Sequence, residues 1–132
     1  MNRTAGIGLL LIAVMAAAQS QKTEPPVIDG GIGPCSLELT VLGTDAKPVY
    51  NATVKVRINY GFGGFHHLDL QAGTNSDGQV KFTGLPAKVR NPPVEFDATK
   101  DQTEGSLNYD PAAECHAKHD IKLSPPKPPD QQ

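Results

Sequence analysis

The sequence predicts an all-β protein, a single Greek-key β-sandwich of about seven strands, of the prealbumin-like or immunoglobulin-like kind. Apolar and polar residues alternate in several short segments, which is the pattern of strands with one buried face. Clusters of Gly, Pro, Asn and Asp separate these segments, as turns between strands require. No segment after the apolar N-terminal run has the period of an amphipathic helix, which also favours an all-β fold.

The first 20 residues have the pattern of a signal peptide. Arg3 supplies a positive charge, residues 7–18 are apolar, and three alanines at 16–18 suit a signal peptidase. The apolar run is about a dozen residues, which is short for a bilayer-spanning helix. The alternatives are a buried helix or a retained anchor. We expect a cleaved signal peptide over 1–20, a secreted or periplasmic location, and membrane contact only transiently through this peptide.

The remaining chain, about 110 residues, is one domain's worth. Residues 21–34 are polar and rich in Pro and Gly, which predicts a flexible leader. Residues 35–123 contain the alternating segments and are predicted to form the sandwich. Residues 124–132 contain two Pro-Pro pairs, and we expect an extended, disordered Pro-rich tail there.

Alternation predicts the strands, and Gly, Pro and Asp predict the turns between them. The clearest strand runs from Ala52 to Tyr60. The stretch Gly73–Pro86 predicts a hairpin turn at Asp77-Gly78, followed by a strand that buries Val80 and Phe82. The segment 106–113 is ambiguous, because Asp110-Pro111 favours a bend. Other strands are predicted over 35–42, 66–72, 94–99 and 114–123, with a polar turn over 100–104.

The chain has two cysteines, Cys35 and Cys115. In an oxidising compartment two cysteines predict one disulfide, which would tie the first strand to the last. Its loop of about 80 residues corresponds to roughly 4–5 kcal/mol in the chain-entropy model. The alternative is a pair of free thiols, one of them reactive.

The net charge is −2 and both signs are mixed along the chain. This pattern lacks a basic stripe for nucleic acid and a polybasic patch for anionic lipid, so we expect no nucleic-acid partner. Aromatic residues make up 5% of the chain and Trp is absent, which counts mildly against a carbohydrate-stacking surface. The expected partner is an unidentified protein or envelope component, with carbohydrate as a further option.

The four histidines form two groups, His66-His67 and His116 with His119. The spacing Cys115-His116-x-x-His119 suits a metal only if a bulge intervenes, because residues three apart on a strand face opposite sides. A disulfide at Cys115 would also remove that ligand. No nucleophile motif such as Gly-x-Ser-x-Gly is present. We therefore expect no metal, no cofactor, no catalytic residue and no enzymatic activity.

The glycine-aromatic segment Gly61–His67 is the candidate binding loop. Loops at the ends of a sandwich often carry binding, and Phe62, Phe65, His66 and His67 together offer a surface for contact. The alternative is that Phe62 or Phe65 closes the open end of the core, while the glycines let the chain turn.

The chain resembles the carboxypeptidase regulatory-like domain, a transthyretin-like or carbohydrate-binding-like fold that is related to collagen-adhesin B-type domains. The resemblance covers roughly 36–86, and departs from the family at Gly61–Gly64 and at Ala87-Lys88. It implies a fold and an extracytoplasmic location, and no catalytic residue. The matching residues are Leu37–Val41, Gly43, Lys47-Pro48-Val49, Ala52–Val56, Thr74, Asp77-Gly78, Phe82 and Gly84-Leu85-Pro86.

The function expected from these observations is that of a secreted or periplasmic, non-catalytic β-sandwich module with a structural or protein-interaction role at the cell envelope. The alternative is a module that binds a small ligand or carbohydrate through Gly61–His67. Neither expectation rests on a catalytic motif.

Overall fold

The computed structural model of the protein describes residues 24–126. The predicted signal peptide over 1–20 lies outside the described residues. The described chain forms eight strands and one short 3-10 turn at Phe62–Gly64. The strands are β1 (Val27–Asp29), β2 (Cys35–Leu42), β3 (Thr53–Tyr60), β4 (His66–Gly73), β5 (Gln79–Leu85), β6 (Val94–Lys100), β7 (Thr103–Tyr109) and β8 (His116–Lys122).

The strands form two four-stranded sheets, which confirms the predicted all-β sandwich. Sheet 1 has the order β1-β5-β2-β8, and sheet 2 has the order β4-β3-β6-β7. All pairs in sheet 2 are antiparallel. In sheet 1, β2 and β5 are antiparallel, whereas β1 and β8 each join the sheet in parallel. The chain thus passes repeatedly between sheets, and neighbours in space are mostly distant in sequence.

The core lies between the sheets and consists of the apolar residues whose alternation predicted the strands. One face of each of β2, β3, β5 and β6 is buried, and the opposite face points to solvent. Phe82 on β5 and Phe96 on β6 are the largest fully buried side chains. The other buried apolar residues of these four strands are Cys35, Leu37, Leu39, Val41, Val54, Val56, Ile58, Val80, Leu85, Val94 and Ala98.

The ends of the domain are more ordered than the sequence predicts. Val27–Asp29 falls in the predicted flexible leader, but it pairs in parallel with β5 as strand β1. Ile28 packs against the core from this strand. At the other end, Ser124 in the predicted tail exchanges backbone hydrogen bonds with Glu104, at 3.0 and 2.9 Å. Both segments are too short to show a period, so only their pairing with distant strands reveals them.

The turn at Asp77-Gly78 forms, but it does not make the predicted hairpin. β4 belongs to sheet 2 and β5 to sheet 1, so the turn carries the chain from one sheet to the other. Asn75 shapes the turn, because its Oδ1 accepts hydrogen bonds from the N–H groups of Asp77 and Gln79 at 3.0 and 2.9 Å. Gly78 has a φ of 72°, which glycine adopts without steric cost.

A strand also replaces the first half of the ambiguous segment 106–113. β7 begins at Thr103, so the predicted turn over 100–104 is tighter than expected, with a positive φ at Asp101. The strand ends at Tyr109, immediately before Asp110-Pro111. The Asp-Pro pair therefore terminates the strand, as a bend signal should.

The predicted disulfide between Cys35 and Cys115 is present. Cys35 begins β2 and Cys115 directly precedes β8, and their Cα atoms are 4.5 Å apart. The N–H of Ser36 donates to the carbonyl of Cys115 at 2.7 Å beside the bridge. A disulfide indicates an oxidising, extracytoplasmic location. Over residues 24–126, no helix has the length and apolar character that crossing a bilayer requires.

Candidate functional site

The Gly61–His67 loop connects β3 to β4 at one end of the sandwich. Gly61, Gly63 and Gly64 all have positive φ values, of 80, 68 and 70°, so the turn depends on glycine. The side chains of Phe62 and Phe65 are 94% and 82% exposed. Neither ring closes the core, so that alternative is wrong.

The loop does not gather its four predicted side chains into one pocket. The ring of His66 stacks on Tyr60 of β3, with centroids 5.6 Å apart and an angle of 29° between the planes. His67 lies on the opposite side of β4, where its Nε2 is 3.7 Å from Oδ2 of Asp69. The alternation of the strand separates the two histidines, although they are adjacent in sequence.

The second histidine group has separate hydrogen-bond partners. His116 Nδ1 lies 2.9 Å from Oγ of Ser36, and His119 Nε2 lies 2.7 Å from Oε2 of Glu114. Cys115 is in the disulfide and is lost as a ligand. Across the described part of the chain, no group of three or more His, Cys, Asp or Glu side chains could hold a metal ion.

A group of charged side chains that the sequence analysis did not select lies on the solvent-facing side of sheet 2. Arg57 of β3 forms a two-bond salt bridge with Asp69 of β4, with Nε–Oδ1 at 2.9 Å and Nη2–Oδ2 at 3.4 Å. Lys55 lies between Gln71 on β4 and Asp97 on β6 in the strand register. The strand pairing thus brings both charge signs together from three strands.

These side chains line an open hollow of about 500 Å³. Both cations, Lys55 and Arg57, border it, and Asp69, Gln71 and Asp97 supply oxygen atoms. Glu95 is two residues from Asp97 on the same face of β6, and the two carboxyl groups line a neighbouring hollow together. We refer to Lys55, Arg57, Asp69, Gln71, Glu95 and Asp97 as the charged face.

Glu95 influences the titration of its neighbour Asp97. Partial desolvation, followed by a hydrogen bond with Glu95 and the negative charge of Glu95, raises the pKa of Asp97 to about 6. Asp97 nevertheless remains exposed to solvent. A carboxyl group that titrates near neutral pH is a feature of functional sites as well as of structural charge clusters.

The sequence contains one signal for this surface, the alternation Glu95-Phe96-Asp97. It places both carboxyl groups on the polar face of a strand. Their neighbours Lys55 and Gln71 come from strands more than twenty residues away in the chain, and only the register of sheet 2 aligns them with Asp97. That register cannot be read from the local pattern.

No family model and no curated protein matches the chain. Solved structures do match. Catechol 1,2-dioxygenase from Pseudomonas arvilla C-1 is 14% identical with a TM-score of 0.51, over 80% of this chain and 60% of that chain. Catechol 1,2-dioxygenase from Acinetobacter sp. ADP1 is 16% identical with a TM-score of 0.48, over 76% and 59%. The chain thus spans less than two thirds of these proteins.

A third match is the dioxygenase domain of a dioxygenase carbohydrate-binding protein fusion from Streptomyces sp. SirexAA-E. It is 13% identical with a TM-score of 0.45, over 80% of this chain and 92% of that domain. At these identities, similarity shows the fold alone. The β-sandwich of this chain is therefore a fold that the catechol 1,2-dioxygenase from Pseudomonas arvilla C-1 also has.

This finding corrects the function that the sequence predicts. We expected a non-catalytic structural or protein-interaction module, or a module that binds a small ligand or carbohydrate through Gly61–His67. That prediction is wrong in taking this fold as evidence against catalysis, because a catechol 1,2-dioxygenase has the same fold. The residues that carried the prediction are turn and core residues, and such residues specify a fold without specifying its chemistry.

Proposed function

We propose that the protein binds a small zwitterionic ligand of the amino-acid type on the charged face of sheet 2. The ligand's ammonium group would lie at Glu95 and Asp97, and its carboxylate would lie at Lys55. The observation that carries this proposal is the placement of Asp97 opposite Lys55 on one open hollow, with Glu95 next to Asp97 on the same face of β6 and no salt-bridge partner for any of the three within residues 24–126.

The carboxyl pair supplies the affinity for the ammonium group. Among the described residues, neither Glu95 nor Asp97 has a salt-bridge partner within 4.0 Å, whereas Asp69 is neutralised by Arg57. Because Glu95 and Asp97 are neighbours, their mutual repulsion favours a bound proton, and a bound cation would displace that proton. Ligand binding should therefore lower the pKa of Asp97 from its value of about 6.

Lys55 supplies the site for the carboxylate. Its side chain is exposed, and it has no salt bridge within the described chain. Arg57 is held in place by its two bonds to Asp69, and it adds a fixed positive charge beside Lys55. A molecule that carries both charge signs matches this arrangement better than an anion or a cation alone.

The test is an NMR titration of the protein at pH 7.5 with a set of free amino acids. Ethylamine, which carries only an ammonium group, and acetate, which carries only a carboxylate, serve as half-probes. We expect shifts in backbone amide signals confined to the charged face, larger for an amino acid than for either half-probe. Asp97→Asn together with Glu95→Gln should remove them, while Lys81→Ala on sheet 1 should not. Shifts that are absent, or that persist in the double variant, would overturn the proposal.

The prediction that the chain is not an enzyme stays a prediction, and the same samples test it. Spectra of each amino acid recorded over a day with the protein should remain unchanged. A product signal that appears with the protein, and does not appear with Asp97→Asn, would contradict the prediction. Asp97 is substituted in this test because its pKa of about 6 suits acid–base chemistry.

We also infer that the sandwich is of the carboxypeptidase regulatory-like type and that the protein is exported through a cleaved signal peptide. The support is the set of family-like residues between Leu37 and Pro86, together with the disulfide, which indicates an oxidising compartment. Intact-mass measurement of the protein from the medium or the periplasm tests the export. A mass that still includes residues 1–20 would contradict the cleavage.

A further inference from the structure

The end of the sandwich that carries the Gly61–His67 loop exposes two large aromatic rings. Phe62 is 94% and Phe65 is 82% exposed, and both belong to a single turn. Large apolar side chains that are exposed on the same turn mark a contact surface. Solvation of two phenylalanine rings costs free energy that burial in an apolar medium would recover.

Basic side chains lie next to these rings. Lys88, Val89 and Arg90 border a hollow of about 520 Å³ together with Gly61 and Phe62. The N–H of Arg90 donates to the carbonyl of Asn59 at 2.9 Å, which fixes the connection between β5 and β6 against the end of β3. The Arg90 side chain also lies against Gly64. The two segments therefore form one surface.

This surface contains no acidic residue in either of its chain segments. Residues 59–68 and 84–94 contain Lys88, Arg90, His66 and His67, and no Asp or Glu. Asp29 lies beside Gly84 at the same end, and its carboxylate accepts a hydrogen bond from the N–H of Gly31 at 2.9 Å. We refer to Phe62, Phe65, Lys88 and Arg90 as the aromatic-basic tip.

We propose that the aromatic-basic tip docks on an anionic lipid bilayer, a contact that the sequence does not predict because the tip combines two cations with two exposed rings and has no polybasic run. The rings of Phe62 and Phe65 would enter the interfacial region, and Lys88 and Arg90 would contact the anionic headgroups. The combination of exposed aromatic rings with flanking cations is the chemistry that interfacial membrane binding uses. Lys88 and Arg90 outnumber Asp29 at this end, and this excess of positive charge favours an anionic bilayer over a neutral partner.

This proposal is independent of the charged face. The charged face lies on the solvent-facing side of sheet 2, whereas the aromatic-basic tip lies at the end of the sandwich where β3 passes into β4. Docking by the tip would leave the charged face open to ligand. Either proposal can therefore fail without the other.

The test is co-sedimentation of the protein with two kinds of vesicle. Neutral vesicles contain phosphatidylcholine alone, and anionic vesicles contain phosphatidylcholine with about one third phosphatidylglycerol. We expect binding to the anionic vesicles that weakens as salt is raised. Phe62→Ser with Phe65→Ser should reduce the partition coefficient at least about tenfold. Each of Lys88→Ala and Arg90→Ala should reduce it about fivefold, the equivalent of about 1 kcal/mol per basic residue near the surface.

Matched controls are available at the other end of β3. Tyr50 is 67% exposed, and Lys47 lies in the same connection between β2 and β3. Tyr50→Ser and Lys47→Ala should leave vesicle binding unchanged. Because all of these positions are on the surface, thermal unfolding should show that every variant folds with nearly the same stability as the parent protein.

Three results would overturn the proposal. The first is equal binding to neutral and anionic vesicles, or no binding to either. The second is a loss of binding in the control variants as large as in the tip variants. The third is self-association of the parent protein through the tip in the absence of vesicle binding. In sedimentation velocity this would appear as a dimer that Phe62→Ser with Phe65→Ser converts to a monomer.

Discussion

The rings of Phe82 on β5 and Phe96 on β6 meet edge to face across the two sheets, with centroids 5.3 Å apart and an angle of 62° between the planes. Phe96 makes a second edge-to-face contact, with Tyr109 of β7 at 6.0 Å. Both phenylalanines are fully buried. This aromatic contact joins sheet 1 to sheet 2 at the centre of the core.

Phe96→Ala should therefore be among the more damaging substitutions in the domain. It removes a buried ring and two aromatic contacts and leaves a cavity, so we expect the free energy of unfolding to fall by about 3–5 kcal/mol. Urea unfolding followed by circular dichroism measures this. The control is Phe62→Ala on the exposed loop, for which we expect a change within about 0.5 kcal/mol. Equal effects at the two positions would contradict the assignment of the core.

Removal of the disulfide should destabilise the domain by about 2–5 kcal/mol. The double variant Cys35→Ala with Cys115→Ala removes the covalent link between the start of β2 and the residue before β8. Without this link, the unfolded chain has more conformational entropy, which favours unfolding. Urea unfolding of the parent protein and the variant gives the difference. In addition, the intact mass of the parent protein should rise by two hydrogen atoms when an added thiol reductant converts the bridge to two thiols. A parent protein that shows no such increase would rule out the bridge.

Thr74 should contribute to the stability of the folded domain, although it lies in the connection between β4 and β5. It is 4% exposed, and its Oγ1 accepts from the N–H of Ala52 at 2.9 Å and donates to the carbonyl of Val49 at 2.6 Å. Thr74→Val keeps the shape but leaves these two groups without their partner, so we expect a loss of about 1–3 kcal/mol in the free energy of unfolding. Thr99→Val on the exposed face of β6 is the matched control, and it should change little. A neutral Thr74→Val would show that the two hydrogen bonds do not stabilise the turn.

The raised pKa of Asp97 predicts a dependence of stability on pH. The folded protein holds this proton up to a pKa of about 6, above the ordinary value of 3.8, so its stability should fall as pH rises between these values. Asp97→Asn removes the cost of ionisation beside Glu95. We expect the variant to be more stable than the parent protein at pH 7.5, by less than about 1 kcal/mol because solvent screens the exposed pair, and equally stable near pH 3.

Carbon-13 NMR of the side-chain carboxyl groups tests the same assignment directly. The Asp97 signal should titrate near pH 6 in the parent protein and at lower pH in Glu95→Gln, because that substitution removes the neighbouring negative charge. An Asp97 midpoint near 4 in the parent protein would contradict the interaction between the two carboxyl groups.

Much of the fold follows from local pattern. Alternation in Ala52–Tyr60 predicts β3, and Val80 and Phe82 are buried on one face of β5 as expected. The two cysteines pair as predicted. By contrast, β1 and the bridge at Ser124 are too short to have a period. The pairing of β5 with β2, in place of the predicted hairpin with β4, depends on contacts between segments that are far apart in the chain.

The candidate sites divide in the same way. The Gly61–His67 loop could be found from its composition, because three glycines between aromatic residues mark an exposed turn. The sequence does not reveal that Lys88 and Arg90 are neighbours of this loop. It also does not reveal the register that aligns Lys55 with Asp97. Residues on different strands meet only after the register is set, and the register is decided by the packing of whole faces.

The sequence by itself determined the fold class, the alternation of buried and exposed side chains and the disulfide, because strand period, turn residues and cysteine number are local properties. Only the tertiary structure decided which strands pair, which sheet each strand joins and which charged side chains face one another. The physical reason is that side-chain direction depends on neighbours one or two residues away, whereas sheet order depends on burying all apolar faces at once.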